Sequence, residues 1–198
     1  MWSILLMSLA CASQATDVET YRGKAWTQWA AEARSPDREV RLRAIGFLDA
    51  FGAQSVPLLT ELLLEEDSSV RGTAASTLIG VGTSAVPALV ELLKSDTQQT
   101  RSVASWTLIR MGPTARTAIP ALVKQLREGI HPDAAARTLG GIARSIDRLG
   151  PCAEEAVAVL CTYLKAESYQ GEAAYALGGI GPEASAAVPG LCILLASD

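Results

Sequence analysis

The chain has 198 residues, of which 49% are hydrophobic but only 5% aromatic, with 19% charged residues and a net charge of −4. Its apolar content is Ala, Leu, Val and Ile, which suits close helix packing better than an aromatic-rich sandwich of sheets. The mildly acidic balance lacks the basic footprint that a phosphate backbone requires, so no nucleic acid is expected as a partner.

A single His, His131, and four Cys leave little material for a metal site, and no unbroken apolar run reaches the length of about 18 residues that a membrane-crossing helix needs.

The first element is a leader. Trp2 to Ala10 is apolar, Cys11 and Ala12 are small, and Ser13 to Asp17 are polar, the order in which a secretory signal ends, although no Lys or Arg precedes the apolar run. Ala10-Cys11-Ala12 and Ser13-Gln14-Ala15 each fit a small-x-small cleavage site. Cys11 is also the candidate lipidation site of a lipoprotein leader, with Leu9 and Ser8 in the reverse of the usual order. Residues 1–16 are read as a signal peptide or lipoprotein leader, which makes the chain exported, periplasmic or extracytoplasmic. If the segment is instead a buried first helix, the chain is cytoplasmic.

Residues 17–34 form an entry or capping helix, in which Trp26 and Trp29, at i and i+3, cover the end of the first repeat. From there the chain repeats. Leu48, Leu78, Leu108, Leu139 and Leu177 are spaced 30, 30, 31 and 38, and Ala44, Ala74, Ala104, Ala135 and Ala173 each stand four residues earlier. Gly52, Gly82, Gly112, Gly150 and Gly181 follow, then an apolar residue and usually Pro: Val56-Pro57, Val86-Pro87, Ile119-Pro120, Val157-Ala158, Val188-Pro189.

Each unit reads as two helices. In the second, Val70, Ala74, Leu78 and Val81 make one helical stripe, Gly82 ends the helix and Pro87 opens the next. Neither helix is long enough to stand alone, so the hairpins must stack. The expected fold is all-α, an α-solenoid of about five two-helix repeats over 35–66, 67–96, 97–128, 129–166 and 167–198. Repeat four carries an excess, Ala143 to Leu149, read either as extra helical turns or as a protruding loop. The second helix of repeat five presents Gly190, Ile193 and Leu194 on a side that has not turned polar. The array is therefore expected to continue beyond Asp198 or to be covered there by a partner.

Asp67, Val70, Arg71, Ala74, Ala75, Leu78, Gly82, Val86, Pro87 and Leu89 together resemble a HEAT repeat of the short bacterial kind, similar to those of phycobilisome-lyase-like proteins. The likeness covers about residues 35–198. Tyr21-Arg22-Gly23-Lys24 with Trp26 and Trp29 resembles the entry helix that precedes such arrays in exported bacterial proteins. The resemblance implies that Arg41, Arg71 and Arg101 form a ladder bridging to acidic or carbonyl groups of a neighbouring repeat. Repeats four and five depart from it, with Pro132 and Gln170 at that position.

No residue set supports catalysis or a cofactor. His131 has no second His to complete a triad or a zinc site and reads as an exposed loop residue. Asp67 reads as an N-cap. Gly140-Gly141 and Gly178-Gly179 lie inside helices, where they let neighbours approach. Cys161 and Cys192, position-mates of Val90 and Val123, read as buried thiols, and Cys152 as the more exposed one.

Two surfaces are candidates for a protein partner. Two residues before each landmark Leu stand Gly46, Ser76, Trp106, Arg137 and Tyr175. Two residues are 200° of helix rotation, so this position faces away from the buried side. Trp106, Arg137 and Tyr175 then form an outward stripe of residue types favoured at binding hot spots, with Arg137 expected beside an aromatic ring. The alternative surface is that of the second helices, whose solvent positions Glu61, Glu91, Lys124, Thr162 and Ile193 run from acidic to apolar.

The expected function is a non-catalytic protein–protein interaction scaffold. An accessory lyase-like or chaperone-like protein of the phycobilisome-lyase type is the alternative, as is the N-terminal piece of a larger regulatory protein.

Overall fold

The computed structural model describes residues 20–166 and 168–195. The expected leader, with Cys11, lies outside them, as does the side chain of Leu194. The chain divides after Val81 into two compact units.

The first unit opens on a small antiparallel hairpin, β1 (Thr20–Tyr21) and β2 (Lys24–Ala25). Arg22 and Gly23 turn it, with φ of 50° and 76°. Helices α1 (Trp26–Glu32), α2 (Arg38–Gly46), α3 (Val56–Leu62) and α4 (Ser68–Val81) follow. The entry segment is thus a hairpin and a short helix, where a longer helix was expected. Trp29 is 4% exposed, donates its indole N–H to the Tyr21 carbonyl at 2.9 Å and stands edge-on to Phe47 at 5.2 Å. Trp26 lies against Phe51 at 5.6 Å. The two Trp close the end of the first repeat, and the Tyr21 contact explains why the chain before them doubles back.

Asp37 and Asp67 cap α2 and α4. Asp37 accepts from the amides of Glu39 and Val40 at 2.9 and 3.1 Å, and Asp67 from those of Ser69 and Val70 at 2.8 and 3.4 Å. Each cap satisfies N–H groups that a helix leaves without an internal partner.

The second unit holds α5 (Val86–Leu92), α6 (Gln98–Met111), α7 (Ile119–Glu128), α8 (Pro132–Ala143), α9 (Ala153–Tyr163), α10 (Gln170–Ile180) and α11 (Val188–Leu195). The stretch Ser68–Leu92 is long and apolar enough to cross a membrane, with mean hydropathy 1.4, although no unbroken apolar run was found in it. Gly82, at φ 77°, separates it into α4 and α5, and 44% of its most apolar window is buried.

The landmark Leu residues carry the core: Leu48, Leu78, Leu108 and Leu139 are 0% exposed and Leu177 2%. A Leu buried to that degree contributes about 1.5–3 kcal/mol relative to one left in water. Ala44, Ala74, Ala104, Ala135 and Ala173 are buried beside them. One position before the Leu, Thr77, Thr107 and Thr138 are buried as well. Thr77 donates to the Ile45 carbonyl at 3.1 Å, and the Thr138 hydroxyl is 2.7 Å from that of Ser105, so these polar groups tie successive first helices together inside each unit.

Helices α6, α8 and α10 pack through glycine. A Cβ on Gly179 would overlap the backbone of Gly140, one on Gly140 would lie 2.7 Å from the Ala176 Cα, and one on Gly141 would lie 2.5 Å from Ile109 Cγ1. Gly178, next to Gly179, would meet nothing within 4 Å.

The excess after α8 is a loop over 144–149, not added helical turns. The Leu149 amide donates to Glu183 Oε2 at 2.6 Å, Arg148 Nε to Glu183 Oε1 at 3.4 Å, and Arg116 to the Arg148 carbonyl at 3.0 Å. Glu183 therefore ties the loop to the turn that follows α10.

The glycine contacts generate one prediction. Gly179→Ala and Gly140→Ala each lower stability by about 1–3 kcal/mol or more through overpacking. Gly178→Ala is neutral or stabilising by up to about 1 kcal/mol, since Ala is the better helix former. Urea unfolding of the three variants separates the two classes.

A second prediction concerns acid. Hydrogen bonding from the Ser69 amide, aided by Arg38 and Val70, holds Asp67 below its ordinary value of 3.8 against the opposing effect of burial. The Leu149 amide, with Arg148 and Gly150, does the same for Glu183 against an ordinary value of 4.5. Both folded values lie below the unfolded ones, so the stability the two groups contribute is complete above the ordinary carboxylate range and is lost as pH falls through the folded values. Asp67→Asn and Glu183→Gln should melt below the parent at neutral pH and converge with it in strong acid.

Candidate functional site

The repeated arginines close turns. Arg71 Nη1 donates to the carbonyls of Glu65 and Glu66 at 2.8 and 2.6 Å, Arg101 Nη1 to those of Ser95 and Asp96, both at 2.8 Å, and Arg41 Nη1 to that of Ser35 at 3.1 Å. In each case one carbonyl stands six residues upstream, at the exit from the preceding second helix or entry helix, and Arg71 and Arg101 add the next one. Gln170, at the same repeat position, donates to the Leu164 carbonyl, also six residues upstream, at 3.2 Å. Repeat five thus keeps the contact with a different side chain. Among the described residues, Arg41 alone of the three also reaches a carboxylate of the next repeat, Asp67, at 3.8 Å. Pro132 has no side-chain donor, and there the chain turns through Gly129 at φ 69° and His131 at φ 42°. His131 is half-buried in that turn, not an exposed loop residue.

His131 lines a polar cleft of about 570 Å³ with Gln98, Arg101, Asp133, Tyr169 and Glu172, at the N-terminal ends of α6, α8 and α10. Among the described residues no group of three or more His, Cys, Asp or Glu is placed to hold a metal ion.

The outward stripe lies wholly in the second unit. Trp106 is 47% exposed and Tyr175 38%, and the Arg137 side chain is 52% exposed. Gly46 and Ser76, at the same position in the first unit, are exposed as well. Arg137 does not stack on either ring. Its guanidinium faces Glu172 at 3.7 Å, and Glu172 borders the polar cleft. The rings instead meet two other arginines: Arg110, 4.7 Å from the centre of Trp106, as the i to i+4 spacing allows, and Arg144, 3.9 Å from that of Tyr175, which the repeat pattern did not single out. Arg110 stands four residues after Trp106, one turn along the same helix face. Arg144 comes from the end of α8, so its contact with Tyr175 depends on how α8 and α10 pack and no local spacing reveals it.

The second-helix positions are occupied by local pairs. In the first unit Glu61 bonds Arg34 at 2.7 Å. In the second, Glu91 bonds Lys94 at 2.7 Å and Lys124 faces Glu128 at 3.8 Å, while the Thr162 hydroxyl returns to the Val159 carbonyl at 2.7 Å. Of the thiols, Cys161 and Cys152 are half-buried and Cys192 is exposed. The readings of Cys161 and Cys192 as buried thiols, and of Cys152 as the more exposed one, are therefore corrected. Val90 and Val123 are covered because further helices pack over α5 and α7, and among the described residues no later helix does so for α11. Leu164, Pro189, Gly190 and Ile193 form an apolar groove beside Cys161.

Residues 25–109 match the family model described as HEAT repeats. No curated protein matches the chain. Among solved structures, the crystal structure of an engineered protein is similar at 24% identity over 82% of this chain and 83% of that one, with a TM-score of 0.41, a superposition too loose to carry an argument. The family match supports a HEAT-repeat, α-solenoid domain in this chain, and HEAT-repeat proteins are in general non-catalytic scaffolds whose fold is consistent with protein–protein interaction.

Proposed function

We propose that the chain is a non-catalytic scaffold that docks a protein partner on the outer side of α6, α8 and α10, through Trp106, Arg137 and Tyr175. The observation that carries this reading is Trp106. A large aromatic side chain stands 47% exposed at a repeat position where folding asks only for solvent contact, as Gly46 and Ser76 demonstrate. Trp, Arg and Tyr are the residue types most enriched where truncation costs binding energy. The second-helix alternative around Glu61, Glu91, Lys124 and Thr162 is less favoured, because its charges are already matched within the chain. We also propose that the scaffold is exported, a reading supported by the apolar, small, polar order of residues 2–17.

The test is capture of a partner by the full chain, identification by mass spectrometry, and a binding isotherm with Trp106→Ala. Binding weakens by about 2 kcal/mol or more, roughly 30-fold, while the melting temperature stays close to that of the parent. An unchanged dissociation constant removes the stripe and moves the site to the second-helix surface. A lowered melting temperature with unchanged binding assigns Trp106 to packing against Arg110.

A further inference from the structure

The outer face of α6, α8 and α10 shows which chemistry its partner must bring. Arg110 and Arg144 have no carboxylate within ion-pair distance among the described residues, whereas Arg34, Arg127 and Arg148 are each paired with a Glu. The two guanidiniums lie over the rings of Trp106 and Tyr175, their central carbons 4.7 and 3.9 Å from the ring centres. A guanidinium held over a ring, with no carboxylate of its own among the described residues, can meet an incoming carboxylate with two parallel hydrogen bonds. Beside them Arg137 is held by Glu172 across 3.7 Å, and it lines a small polar recess with Asp133 and Arg101. Of Arg110, Arg137 and Arg144 on this face, Arg137 alone has a carboxylate within ion-pair distance among the described residues, in a chain whose net charge is −4.

We propose that this face takes an acidic, extended polypeptide segment, whose carboxylates bond Arg110 and Arg144 while its backbone and apolar groups lie over Trp106 and Tyr175. The proposal rests on the stripe being the docking face. A nucleic acid would bring a positive-charge requirement that a net acidic chain opposes, whereas a short acidic peptide needs only these local cations. The two guanidiniums are separated by one to two helix spacings, about 10–20 Å, a span covered by about three to six residues of extended chain.

The probe is a labelled twelve-residue peptide carrying two Glu-Glu pairs separated by four neutral residues, titrated against the full chain by fluorescence anisotropy. The same peptide with every Glu replaced by Gln is the control. The acidic peptide binds at least ten-fold more tightly than the control, and its affinity falls as salt is raised. Arg110→Gln with Arg144→Gln weakens it at least ten-fold. Arg110→Lys with Arg144→Lys, which keeps the charge but not the planar fork, weakens it three-fold or more, and this pair decides the matter if the Gln pair does not melt cooperatively.

Absent binding of the acidic peptide, or equal binding by the parent and both arginine pairs, overturns the proposal. Concentration-dependent self-association in sedimentation that the Gln pair abolishes also overturns it, by making a second copy of this chain the occupant. Failure of the stripe itself reads differently, because a captured partner then binds Trp106→Ala as tightly as the parent. If Trp106→Ala weakens that partner while the acidic peptide binds nothing, the docking face stands and its acidic occupant falls.

Discussion

The helices of this chain are too short to persist alone. The longest among the described residues run 14 residues, at the margin of what an isolated helix sustains in water. Each must bury an apolar face against the next, and the repeat is the register in which that happens. Leu at one position and Ala four residues earlier fill the space between successive first helices, with Leu108, Leu139, Ala104 and Ala135 all removed from solvent. The constraint falls on one side of each helix. The position two residues before the Leu is released from it, so Gly, Ser, Trp, Arg and Tyr all stand there, exposed, without disturbing the stack. Residues on which folding makes no demand are where a binding surface can vary.

The same freedom separates two uses of arginine. Arg71 and Arg101 spend their hydrogen-bonding edges on carbonyls at the exit of the preceding helix. Those carbonyls are otherwise left over by the helix end, so the charge is absorbed into the repeat, and Gln170 does part of the same work without a charge. Arg110 and Arg144 lie over aromatic rings. Among the described residues these two guanidiniums have no ion-pair partner, which is the difference between an arginine that holds a turn and one available to a partner.

Much of the fold was legible in the residues because it rests on local patterns that recur. The landmark Leu, the Ala before it, the glycines at the turns and the Pro at the start of four of the five second helices each have one physical reason, and stacking repeats it. The cap at Asp67 was legible for the same reason. What was not legible depends on contacts distant in sequence. The hairpin over 20–25 forms because Trp29 reaches back to Tyr21. The 144–149 segment is a loop because Glu183, more than thirty residues away, binds its amide and its arginine. Cys192 shares a repeat position with buried valines, and periodicity cannot report that nothing described packs over it. At the candidate site the outward position of Trp106, Arg137 and Tyr175 followed from helix geometry. The partners of those side chains did not, since Glu172 and Arg144 reach them from neighbouring helices.

The packing of α8 against α10 and the shape of the exposed face are one feature. Tyr175 can lie down only because Gly140 has no side chain, a Cβ there meeting the ring at 3.0 Å, and the ring's position places it beneath Arg144. Gly179 and Gly140 bring the two backbones into contact and so fix the distance from Tyr175 to the residues of α8. Gly141 does the same toward α6 through Ile109, three residues from Trp106 and one from Arg110. The small residues that serve the core from inside thus set the spacing of the aromatic and cationic groups outside. A first helix with larger residues at 140 and 141 would still amount to a repeat, but its neighbours would stand apart and the outer groups would no longer form one surface.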